Sequence, residues 1–97
     1  GSAPEQASTD KVIKMADAVR ITALAAEVAG ALDTRDDVAL ADLAPRIRYL
    51  KTEDYGAFRH LLAQRLFAEQ VEHDPDGCAE LATALLGRAL SRADGQR

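Results

Sequence analysis

From Val12 to Leu90 the apolar residues of this chain recur every three or four positions, and nowhere do they alternate one-for-one with polar residues. A period of three to four lays side chains along one face of an α-helix, whereas a half-buried strand needs a period of two. Residue usage points the same way. Thirteen of 97 residues are β-branched (five Val, three Ile, five Thr), against 20 Ala, the strongest helix former. The chain is expected to be all-α, with helices that Ala allows to approach closely.

Ninety-seven residues suffice for one core and not two. With 47% of the residues hydrophobic, disorder is excluded for most of the chain. No uncharged stretch approaches the roughly 20 apolar residues that span a bilayer. The lone cysteine, Cys78, has no partner for an internal disulfide, and no Cys/His spacing fits a zinc finger. Together these imply a soluble, cytoplasmic-type domain with no cofactor. Gly1-Ser2 without a starting Met reads as the remnant of a cleaved tag, so the domain is expected to come from a larger protein. Residues 1–8 are expected to be that remnant and a linker, 9–92 the domain, and 93–97 a frayed tail.

Caps and breakers divide the interior. Ser8, Thr9 or Asp10 caps a first helix running to about Gly30. Its apolar stripe is Val12, Ala16, Val19 and Ala23, with a second seam of Ile21, Leu24, Val28 and Leu32. So wide an apolar surface predicts a central helix touching more than one neighbour. Thr34 and Asp37 have capping-box spacing for a short helix with Val38, Ala41 and Leu43 inward. Pro45 disfavours helix at Ala44 and suits the start of another, Pro45 to Lys51, burying Ile47 and Leu50. Thr52 caps a long helix with Tyr55, Phe58, Leu62 and Leu66 in a row, ending near Glu72 or His73. Asp74-Pro75-Asp76-Gly77 combines a turn with a cap, and the last helix shows Cys78, Leu81, Ala82, Leu85 and Ala89 on one face. Five or six helices are expected in a compact bundle. An up-and-down antiparallel arrangement fits, and so does a Greek key; size and helix count resemble the death-fold interaction domains, a likeness of shape without a shared motif.

The chemistry-bearing residues form no coherent set. Cys78 sits at a helix start, where the dipole activates a thiol, and His73 precedes it by five residues, yet Cys78 also opens an apolar row as a small hydrophobe would. His60, between Arg59 and Leu61, reads as a surface residue. Glu69, Glu72 and His73 offer one-turn spacings, but Gln70 stands where a Glu-x-x-His motif needs Glu. The glycines are scattered, which excludes a phosphate loop. Arg20, Arg35 and Lys51 are the candidate clamps if the domain is a small all-α enzyme with an Arg/Lys-lined pocket. A helix-turn-helix starting at Leu40 would present Glu53 and Asp54 to phosphates, and the net charge of −4 also opposes nucleic acid.

Charge distribution is more informative. Residues 1–44 carry net −4, residues 45–65 net +3 and residues 66–97 net −3. The basic block is Arg46, Arg48, Lys51, Arg59 and Arg65. The acidic blocks are Asp33, Asp36, Asp37 and Asp42 on one side, and Glu69, Glu72, Asp74, Asp76 and Glu80 on the other. Opposite-sign patches let a domain bind its own copy head to tail. The function expected is therefore that of a protein-protein interaction or assembly module, self-associating or binding another protein.

Overall fold

The computed structural model describes the backbone of residues 3–95 and the side-chain surroundings of residues 17–95. Among the described residues there are four α-helices and no strand: α1 (Ala3–Thr34), α2 (Asp37–Arg48), α3 (Thr52–Leu66) and α4 (Pro75–Gly95), with a 3-10 turn at Gln70–Glu72. The all-α expectation holds, but five or six helices do not, and two places account for the difference. At the N-terminus, helix begins ahead of Ser8, Thr9 and Asp10. Pro4 falls in the first turn, where its missing N–H has no intrahelical partner to lose. In α2, Pro45 lies inside a single 12-residue helix. An internal proline costs about 3 kcal/mol. Leu40, Leu43, Ala44 and Ile47 are all buried on one face spanning that proline, so packing on both sides of it holds the helix together.

The break between α1 and α2 falls four residues later than Gly30. Arg35 adopts a left-handed φ of 53°. Its N–H donates to the Leu32 carbonyl at 3.4 Å, and that of Asp36 to the Ala31 carbonyl at 2.9 Å, the double bond of a Schellman stop. Asp36, not Thr34, then caps α2 by accepting from the Ala39 N–H at 3.1 Å. The Thr34 hydroxyl instead donates to the Gly30 carbonyl at 3.0 Å. A side chain in the left-handed region is strained where Gly is not. Arg35→Gly is therefore expected to stabilise the fold by about 0.5–1 kcal/mol, raising Tm by roughly 4–8 °C per kcal/mol. A thermal melt with unchanged or lower Tm would contradict this account of the turn.

Further on, α3 starts at Thr52 with Lys51 in the cap position, and it stops at Leu66 rather than near Glu72 or His73. The last connection behaves as its residues require. Asp74 accepts from the Gly77 N–H at 3.0 Å, Pro75 opens α4, and a Cβ at Gly77 would run into the Asp74 carboxylate. The final helix passes residue 92, because Ala93 is buried in the core.

Around that core α1 packs chiefly on α3, α3 on α4, α4 on α2, and α2 more lightly on α1. Consecutive helices α2 and α3 barely touch, so the chain does not follow the neighbour-to-neighbour order of an up-and-down bundle. Ile21, Leu24, Ala25 and Val28 of α1 meet Leu40, Leu43 and Ile47 of α2, Phe58, Leu62 and Ala63 of α3, and Ala79, Ala82, Leu86 and Ala89 of α4 in one cluster. The apolar rows assigned from spacing are only partly the buried ones. Val19 is 67% exposed and Val38 81%, and α4 is rotated so that Leu86 is buried while Leu81 and Leu85 are not. Helix α1 is thus not enveloped. Ile21, Leu24 and Val28 of its second seam are buried and Leu32 is partly so, while Val19 and Ala23 of the first stripe face solvent; Val12 and Ala16 lie outside the residues whose side chains are described.

Candidate interaction surface

The catalytic and metal candidates do not converge. Cys78 is buried in the core cluster at the start of α4, whereas His73 lies exposed on the turn before it. His60 is exposed on α3 with its Nε2 4.0 Å from Asp76 Oδ1 on α4, a neighbour that sequence spacing does not reveal. Among the described residues no three His, Cys, Asp or Glu side chains gather as metal ligands, Glu69, Glu72 and His73 included. Two of the three candidate clamps, Arg20 and Lys51, do line one cleft of about 480 Å³ with Arg46, while Arg35 stands apart at the α1 stop. Asp17 and Asp54 line the same cleft, and Arg20 is already 2.8 Å from Asp17. Three cations offset by two carboxylates make a weak anion clamp.

The basic block of the sequence is divided by the fold. Arg46 bridges α2 to α1 through Glu27 at 2.9 Å. Arg59 turns to α4 and donates to the Thr83 hydroxyl at 2.9 Å, and that hydroxyl in turn donates to the Ala79 carbonyl at 2.8 Å. Arg48 lines a small cleft with Leu90 and Asp94, Lys51 lines the cleft described above, and Arg65 stands beside the outer side of α1. Of the acidic residues, Asp36 is the α2 cap and Asp37 is held 3.1 Å from Arg92 of α4. Asp36 and Asp42 line a groove of about 570 Å³ between α1 and α2 with Glu27, while Asp33 is exposed at the end of α1. Glu69, Glu72 and Asp76 are exposed around the α3–α4 connection. Half-exposed pairs of this kind contribute about 0–1 kcal/mol each and serve here to tie neighbouring helices together.

No family model, curated protein or solved structure matches this chain. No helix among the described residues is long and apolar enough to cross a membrane. What functional signal there is must come from the surface itself.

On that surface the outer face of α1 stands apart. Ala18, Val19, Thr22, Ala23 and Ala26, with Arg65 of α3 at the edge, line an open groove of about 380 Å³. Its single hydroxyl is internally satisfied, since Thr22 donates to the Ala18 carbonyl at 2.8 Å. The face arises from sequence: one row of α1 pairs large residues with the core, and the opposite row is Val and Ala with no charge between Ala18 and Ala26 except Arg20, which leans back on Asp17. An apolar row that the fold does not cover is what a partner helix needs. Spacing did name the residues. What it lacked was any means of telling which of two apolar rows the bundle would bury.

Proposed function

We propose that this domain is a protein-protein interaction module that associates with copies of itself, and that the outer face of α1 is its contact surface. The observation that carries this reading is Val19, 67% exposed in the middle of an apolar row on a regular helix. The opposed acidic and basic blocks support it less well, because Arg46, Arg59 and Asp37 are engaged within the chain.

The test is light scattering on a sizing column over a tenfold concentration range at low and high salt. Mass is expected to rise above 10.4 kDa with concentration at both salts, since apolar contact is not screened. Association lost at high salt would move the contact to the charged faces, and a monomer under all conditions would overturn self-association.

A further inference from the structure

We infer that the copies meet through α1 alone, antiparallel and about a two-fold axis, forming a closed dimer rather than a head-to-tail array; this rests on the self-association proposed above. Along α1 the outer row is Val19, Ala23 and Gly30, all exposed, with half-buried Ala26 among them, spaced by four, three and four residues, and the sequence carries the same spacing back to Ala16 and Val12. That is the seven-residue repeat of a two-helix seam, and it lies opposite the row that Ile21, Leu24 and Val28 bury in the core. Ala and Gly in the middle of such a seam let two helix axes come close together.

Charge beside the seam selects direction. The flanking residues at corresponding positions of the repeat are Arg20 on one side of the seam's centre and Glu27 on the other. When a second α1 runs antiparallel with Ala23 opposite the second copy's Ala26, each Arg20 meets the other copy's Glu27, and the symmetry makes the pair twice. A parallel arrangement sets Thr22 against Glu27 and Arg20 against Met15, with no opposite charges matched. Arg20 is paired with Asp17 at 2.8 Å and Glu27 with Arg46 at 2.9 Å, yet both remain accessible, with 79% and 53% of the side chain exposed. Arg46 occupies only Oε2 of Glu27, which leaves Oε1 to accept from a second guanidinium. An interface built this way uses the same patch on both copies, so it closes at two chains.

Cysteine cross-linking tests this in a Cys78→Ala background whose melt and mass are first matched to the wild-type chain. In the antiparallel register residue 19 lies opposite residue 30 of the second copy, and a Cβ at Gly30 meets nothing within 4 Å in its own domain. A mixture of Val19→Cys and Gly30→Cys chains is expected to yield, under mild oxidation, about tenfold or more disulfide-linked dimer than either chain alone. Cross-linking by each variant alone, with none gained on mixing, would mean a parallel seam and overturn the inference. No specific cross-linking while mass still rises with concentration would overturn the α1 pairing and leave self-association standing. Mass fixed at the monomer value throughout would remove both.

Discussion

Replacing Phe58 by Ala is expected to destabilise the domain by about 3–5 kcal/mol, a large share of the 5–15 kcal/mol that holds a typical domain folded. Phe58 is fully buried on α3, the helix that packs on both α1 and α4. Among the described residues nine of the 19 buried hydrophobic ones are Ala, which leaves the few large side chains to bury most of the apolar area. Alanine has no side-chain torsion with which to swing into a void, and the helices that carry these residues are regular, so the cavity left by the ring stays open. Urea unfolding should show the midpoint falling sharply with the slope unchanged. Val38→Ala, at a site 81% exposed, is the matched control and should shift stability by less than about 0.5 kcal/mol. A Phe58→Ala chain as stable as the control would mean that the core is not centred on α3.

The second large effect falls on association rather than folding. Val19→Glu replaces a side chain that is 67% exposed by a better helix former, so the melt should stay within about 0.5 kcal/mol of the wild-type chain. In an α1-mediated dimer, by contrast, each Glu would be buried against apolar neighbours without a partner. An unpaired buried charge costs several kcal/mol, so self-association should weaken by about 100-fold or more. Arg48→Glu should leave association nearly unchanged, because Arg48 lines a cleft between α2 and α4, away from the outer face of α1. Should Arg48→Glu abolish association while Val19→Glu spares it, the contact lies on α2 instead.

Much of this architecture is legible in the residues, and the failures share a cause. Helical class, the Asp74-Pro75 start of α4, and the buried Phe58 and Leu62 follow from period, capping chemistry and size. The extra helices were expected because Pro45 is a strong local breaker, and here burial of Ala44 and Ile47 on either side outweighs it. The stop after Thr34 was hidden because a left-handed residue is normally Gly and here is Arg35. The rows on α1 and α4 were ambiguous for a different reason: with so many Ala, two faces of one helix are equally apolar, and only the neighbouring helices determine which is covered. Spacing thus names Val19 and Ala23 as apolar without showing that they face outward. Contiguity in sequence likewise misled for charge, since residues 45–65 span a turn and two helices that barely touch, dispersing Arg46, Arg48, Lys51, Arg59 and Arg65.

The most direct measurement is a dilution series followed by backbone amide NMR, in which residues at a self-contact change shift with concentration. The changes should cluster at Ala18, Val19, Thr22, Ala23 and Ala26 of α1 and at Arg65 beside them, with the buried seam of the same helix nearly silent. Changes gathered instead around Arg46, Arg48, Asp37 and Asp42, or none across the whole range, would contradict the placement of the contact on the outer face of α1.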